Sequence, residues 1–337
     1  MRDALGQRWL GVIFSILIIA TYAVGYNMLA AYNLQDTFTA FDFYSKTTAI
    51  VIGVILAVLF GIIVIGGAKR LTKVTEVMVP VMGVLYVIVA IIVLILNAKQ
   101  IPAMFSMIFE SAFDFKAIFG GFAGSCIMNG IKRGLYSNEA GMGSAPNAAA
   151  KADVSHPAKQ GLVQMLSVFI DTLLICTASG FMVLSAGIGV TEEMKADAAI
   201  YVQAALGESL GAFGPIFICV AMCLFAFTTL IGNYSYCEGC LDFIAGKKVG
   251  GAGLKLFRIV ATVLIFVGTI ASAGMVWNIA DMLQGFMVVI NVPVIIILMK
   301  PAMKALDDYI AQKKAGKDPH FVAKEIGLDD SKLDFWK

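Results

Sequence analysis

Asp171 is a carboxylate inside an otherwise apolar run, VFIDTLLICT from Val168 to Thr177. An acid placed there is costly unless paired, so it points either to ion or proton handling or to a structural partner such as Asn129. Thr228 and Thr229 set two hydroxyls side by side in FAFTTLIG. Threonine hydroxyls in a membrane helix bond back to their own helix carbonyls. Asp281 stands with Trp277 and Asn278 in VWNIADMLQG, near the start of an apolar segment. That position suits a gate, or simply an interfacial tryptophan. Cys219 and Cys223 share a helix face, but no histidine is near them, so a nucleophile and base pair is not expected. Cys237-x-x-Cys240 is a lone motif, and with His156 and His320 the only histidines no zinc site is expected. The chemistry on offer is binding rather than bond breaking, and the chain does not read as an enzyme.

The stretch expected to organise this chemistry is Phe115 to Gly134, FKAIFGGFAGSCIMNGIKRG. Gly120, Gly121, Gly124 and Gly130 interrupt it, and its apolar run falls short of the ~20 residues of a continuous span. A helix opened there would expose backbone dipoles, tolerable only beside protein or a wet cavity, which is where a transporter holds its solute. The alternative is a close-packing Gly120-x-x-x-Gly124 face between intact helices.

The positioning elements follow from composition. Apolar residues make up 59% of the 337 and charged residues 14%, which excludes an ordinary soluble domain. A net charge of +2 gives no basis for nucleic-acid binding. The six cysteines fall mostly in apolar runs, and no disulfide framework is expected. The first run, to about Tyr32, is too long for a signal peptide and reads as a retained helix.

Eight apolar segments stand out, at about 9–31, 47–68, 74–97, 115–133, 160–187, 211–235, 255–274 and 276–299. With loops assigned to alternate sides, all 25 Lys and Arg fall on one side except Lys46, Lys99, Lys116 and Lys195. The positive-inside rule makes the basic side cytoplasmic and puts both termini there. The outer stretches Asp36 to Lys46 and Thr191 to Glu208 carry acids and suit short surface helices. The inner stretch from Arg133 to Gly161, rich in Gly, Ala and Ser, reads as a tightly turned loop packed against other backbones, without a phosphate-cradle pattern. Residues 1–300 form the transmembrane domain, and 301–337 a polar cytoplasmic tail.

SNEAGMGSAPNAAA, SHPAKQG and VFIDTLLICT, with GGAKRLTKVTEVMVPVMGVLYV upstream and LFAFTTLIGNYSYCE and VWNIADMLQG downstream, resemble in order the alanine/glycine:cation symporter family of sodium:amino acid symporters. The resemblance covers essentially residues 1–300. It implies an all-α polytopic membrane protein with part of a five-plus-five inverted-repeat fold, similar to the amino acid/polyamine/cation superfamily. It implies sodium-coupled symport of alanine or glycine across the cell membrane by alternating access. Gly120, Gly121, Phe122, Ala123 and Gly124 match the break of the second repeat, where freed amides would meet a substrate carboxylate and Phe122 would wall the pocket, with Asn129 nearby. Thr228 and Thr229 match a sodium-ligating position, and Asp171, Trp277 and Asp281 are candidates for coupling or gating. Asn233 stands where many relatives carry Trp. The family has about three more helices ahead of the point matching Met1, including the other broken helix. The chain is therefore expected to be an amino-terminally shortened member that needs those helices for a complete site, or else a transport-incompetent partial product.

Overall fold

The structure is a computed structural model, and it describes the backbone of all residues except 66–67, 114–121, 192–193, 195–197, 330, 332, 334–335 and 337, and no side chains at 68–75, 122–126 and 198. The described residues are helical, with no strand among them. That is the form an apolar chain takes when no water is present to satisfy its backbone, since each helix closes its own hydrogen bonds.

The principal helices are α1 (Arg8–Ala40), α2 (Lys46–Ile65), α3 (Ala68–Leu96), α4 (Ile101–Ala112), α5 (Phe122–Asn138), α6 (Pro157–Ser185), α7 (Ala198–Leu210), α8 (Phe213–Ala245), α9 (Gly251–Ile270) and α10 (Ala273–Lys314). Among the described residues seven are long and apolar enough to cross a membrane: α1, α2, the Glu76–Leu96 part of α3, α6, α8, α9 and α10. They match seven of the eight expected segments. The remaining one, 115–133, lies partly outside the described residues and continues into α5. In the acidic stretch 36–46 the 3-10 turn Thr37–Ala40 is the end of α1, with Thr37 buried, and the stretch 191–208 runs into α7.

Two helices hold the bundle together. α8 contributes to all three apolar cores: Cys237 and Cys240 to one with α1 and α10, Leu230 and Tyr234 to one with α1, α2 and α9, and Ile218 and Ala221 to one with α3, α6 and α7. α1 shares two of them, and half of its apolar window is buried against 11% for α6, so α1 and α8 are central and α6 peripheral. Gly268 of α9 lets that helix touch the α1 backbone, since a Cβ there would stand 2.6 Å from Met28 Cα. Two stretches depart from α-helical pairing: Ile19–Tyr26 in α1 and Asp171–Cys176 in α6 are π-helical. Such turns recur at functional sites.

Three sequence expectations are corrected. α5 runs past Arg133 to Asn138, so the first residues of the expected inner stretch are helical. α10 does not end near 299 but continues through Pro293 and Pro301 for 42 residues. At ~1.5 Å per residue that is about 63 Å, twice the ~30 Å of a hydrocarbon core, so its second half projects beyond the bilayer. Residues 301–337 are also not simply a solvated extension, because the chain after α10 folds back onto the start of α6. Phe321 and Ala323 are buried, Phe321 N donates to Ser155 O at 2.9 Å, and Lys159 pairs with Asp318 at 2.7 Å. His156 caps α6 through Nδ1, which accepts from Ala158 N, so its Nε2–H faces Asp308 of α10 at 3.2 Å. Tyr309 and Phe321 close around the ring, which is fully buried.

Candidate functional site

A cavity of about 840 Å³ lies between α1, α3, α6, α7, α8 and α10. It sits toward the end of the bundle that carries Asp36, α7 and the start of α10. Its walls are mostly apolar, with a few polar groups held by local bonds. Tyr32 Oη donates to Asp36 Oδ1 at 3.1 Å, and Tyr86 Oη pairs with Ser179 Oγ at 2.7 Å. Trp277, Tyr136 and Cys176 line it from α10, α5 and α6. An apolar chamber with a few fixed polar groups is the usual form of a small-molecule site.

The C-terminal half of α5 is tied to both sides of this chamber, each time through an aspartate. On one side Asp281 of α10 takes Arg133 in a short ion pair and Lys132 at 3.4 Å. The Arg133 guanidinium also lies over the Trp277 ring, 4.1 Å from its centroid, and Tyr136 packs on the same indole at 5.8 Å. Stacking and ion pairing together use the planar guanidinium in a way a lysine could not. On the other side Asp171 Oδ2 accepts from Ser137 Oγ at 2.6 Å and Asn138 Nδ2 at 3.1 Å, and the same amide donates to Thr172 Oγ1 at 2.6 Å. The π-turn of α6 supplies both Asp171 and Cys176, so it joins this tether to the cavity wall.

Below the chamber the bundle is sealed. Tyr26 Oη donates to Gln284 Oε1 at 2.8 Å, and Gln284 Nε2 donates to Lys132 O at 3.1 Å. Tyr26 is near the middle of α1, so this chain of bonds sets Lys132 and Arg133 at mid-bundle depth. The turn after α5 completes the seal as a wedge. Gly141 and Gly143 have φ of +69° and +81°, and Gly143 is so close to Phe14 and Asn291 that a Cβ would stand 2.6–2.7 Å from them. Asn291 Nδ2 donates to Gly141 O at 2.9 Å, and Met142 and Ser144 are fully buried. Glu139, at φ +48°, accepts from Ser144 Oγ at 2.6 Å. Desolvation in the packed turn pushes its carboxyl above the usual carboxylate range, against the Ser144 hydroxyl that favours the charged form.

The residues singled out from sequence fall into separate groups. Trp277 lines the cavity, and Asp281 stands behind it with Arg133. Asp171 joins them through α5, but its partners are Ser137 and Asn138 rather than Asn129, whose side chain is exposed. Thr228 and Thr229 are not brought together. Thr228 is buried and its Oγ1 bonds back to Leu224 O and Phe225 O at 3.0 Å, while Thr229 is exposed on another face of α8. Gly120 and Gly121 lie outside the described residues, as do the side-chain surroundings of Phe122, Ala123 and Gly124, whose backbone begins α5. Lys132, Arg133, Tyr136, Gln284 and Glu139 were not marked as functional in the sequence. A basic pair followed by a polar turn reads as a loop margin there, and the 148 residues separating Arg133 from Asp281 conceal that the two are ion-paired.

A family model described as the sodium:alanine symporter family matches residues 1–323. The chain belongs to that family. The Bacillus subtilis amino-acid carrier protein AlsT is 41% identical over 326 residues, 97% of this chain and 68% of the relative. A probable sodium/glutamine symporter, GlnT, of the same organism is 38% identical over 337 residues, 100% of this chain and 68% of its own. The sodium/alanine symporter AgcS of Methanococcus maripaludis is 36% identical over 283 residues, 84% and 61% respectively. As a member of this symporter family the chain is a multi-pass membrane transporter and not an enzyme, and sodium is the ion moved with the amino acid.

Proposed function

We propose that the protein carries a small neutral amino acid, alanine or glycine, into the cell with sodium by alternating access, and that the cavity above Trp277 is its outer vestibule. The observation that carries this is the double tether of α5, the helix immediately after the glycine-rich stretch, to Asp281 on one side of the cavity and Asp171 on the other. A solute entering above Trp277 meets a floor of Trp277, Tyr136 and Arg133, with the Tyr26 and Gln284 seal beneath. Passage requires that floor to separate, and the ion pairs of Asp281 and the hydrogen bonds of Asp171 are the contacts to be exchanged.

Within this reading the fold is part of a five-plus-five inverted repeat in the cell membrane with both termini cytoplasmic. Gly120, Gly121, Phe122, Ala123 and Gly124 open the helix and hold the amino acid, with Asn129 at the margin. Of the two threonines, Thr228 offers its oxygen to sodium from a buried position on the helix shared by all three cores, and Thr229, exposed on another face, does not join it. Trp277 and Asp281 form the gate, and Asp171 couples it to α6.

The test is uptake of labelled alanine into vesicles containing the purified chain, driven by an inward sodium gradient, with glycine and glutamine as competitors. Sodium-dependent uptake suppressed by glycine but not by glutamine is expected. Suppression by glutamine alone would move the substrate class, and uptake indifferent to sodium would overturn the coupling.

A further inference from the structure

On the outside of the bundle α2 and α9 run antiparallel and splay apart toward one end. A Cβ on Gly53 would collide with Thr269, whereas one on Gly61 would find its nearest atom, on Thr262, at 3.9 Å. The opening is a groove of about 790 Å³, walled by exposed apolar side chains such as Val58 and Ile259, with Ala57 and Gly61 as its base. It runs from Val54 to Ile65 along α2. At ~1.5 Å per residue that is about 17 Å, close to half of a ~30 Å hydrocarbon core and so the depth of one leaflet.

Its wide end is basic. Lys255 and Arg258, one helical turn apart on α9, line the groove beside Ile65. Lys255 is exposed and forms no ion pair among the described residues. Arg258 Nε donates to Tyr234 Oη at 3.1 Å, which fixes the guanidinium at the rim, and its contact with Glu238 is a loose 3.8 Å. Glu238 also faces Lys151, so this carboxylate is shared and the rim keeps a positive balance.

We infer that this groove binds one anionic phospholipid of the inner leaflet, its phosphate on Lys255 and Arg258 and an acyl chain along Ala57 and Gly61. The length of the groove suits an acyl chain, and the charge at its end suits a phosphate. This rests on the cytoplasmic placement of the basic end but not on transport, so its test reads lipid binding alone. The full chain in an uncharged detergent is exposed to equal amounts of phosphatidylglycerol and phosphatidylcholine, or to free glycerol phosphate, and bound lipid is counted by native mass spectrometry. Phosphatidylglycerol is expected to be retained over phosphatidylcholine, and exposed Lys255→Gln to lower its retention about fivefold. Adding Arg258→Gln should remove the preference, with circular dichroism confirming the fold because Arg258 also holds Tyr234. Lys247→Gln should leave retention unchanged, and Gly61→Leu, which fills the groove, should release both lipids. Equal retention of the two lipids, equally strong binding of free glycerol phosphate, or full retention by Gly61→Leu would each overturn the proposal. So would a dimeric particle in which a second copy covers the groove.

Discussion

The two π-helical stretches have the same backbone irregularity and opposite surroundings. In α1, Ile19–Tyr26 is buried in an aromatic lattice. Tyr22 and Tyr26 meet edge to face at 5.0 Å, Tyr22 meets Tyr236 at 5.1 Å, and Tyr26 meets Tyr136 at 4.9 Å. In α6, Asp171–Cys176 is largely exposed and held by polar bonds from Ser137 and Asn138, with Thr177 Oγ1 capping Thr172 O at 3.0 Å. Aromatic packing in a dense core has no cheap substitute, whereas side-chain hydrogen bonds at the edge of a cavity can be exchanged for other polar partners. The comparison teaches that a π-turn marks a place where a helix is altered, and that its neighbours decide whether the place is rigid. α1 is the frame, and the α6 turn is the joint through which α5 can be released.

The largest expected effect separates the two directly. Tyr22→Ala removes a fully buried ring and should cost about 3–5 kcal/mol in thermal unfolding of the detergent-solubilised protein. Asp171→Ala should cost less than half of that, and equal losses would erase the distinction between frame and joint. Next, Tyr26→Phe leaves the buried Gln284 oxygen without its donor, and about 1–3 kcal/mol of stability should disappear with only one oxygen removed. A shift no larger than that of Tyr44→Phe, a part-buried hydroxyl on Gln35, would mean the seal is not rigid.

For the joint the expected signature is functional. Asp171→Asn keeps the shape but weakens two charge-assisted bonds, so unfolding should move little while sodium-driven uptake falls about tenfold, the equivalent of one such bond. Unchanged uptake would remove Asp171 from the moving parts.

The smallest effect joins the two regions, because Glu139 lies beside Tyr22 and also feels the Asp171 charge. Its carboxyl is raised in the folded protein, so below its ordinary value of 4.5 both states are protonated and nothing is lost. As pH rises through the folded value, ionisation costs folding free energy. Glu139→Gln should therefore match the parent below the ordinary value of 4.5 and gain stability over it as the pH rises above that, until the folded carboxyl is ionised, seen as a widening and then constant gap in unfolding temperature. A gap that narrows with pH would reverse the assignment.

The helices were legible where they depended on local composition. Spans such as 47–68 and 255–274 correspond to α2 and α9 because an apolar run has one stable form in lipid. Ends were missed where polar residues carried a helix onward, as in α10 beyond 299 and α5 beyond Arg133. The inner loop was legible as tightly turned, since Gly141 and Gly143 need positive φ and close approach. Asp171 and Asp281 were legible as acids in apolar surroundings, but not their partners, and the tail's latch on His156 had no local signal.

The sequence by itself determined that the chain is a helical membrane protein, where most of its spans lie, and through ordered motifs which family it resembles. Those are properties of short windows, governed by transfer of side chains and backbone out of water. Tertiary structure alone decided that Lys132 and Arg133 belong to Asp281, that Ser137 and Asn138 belong to Asp171, and that Thr228 and Thr229 face apart. An ion pair or hydrogen bond falls off within a few ångströms, so its partner is set by which helices pack together and not by distance along the chain.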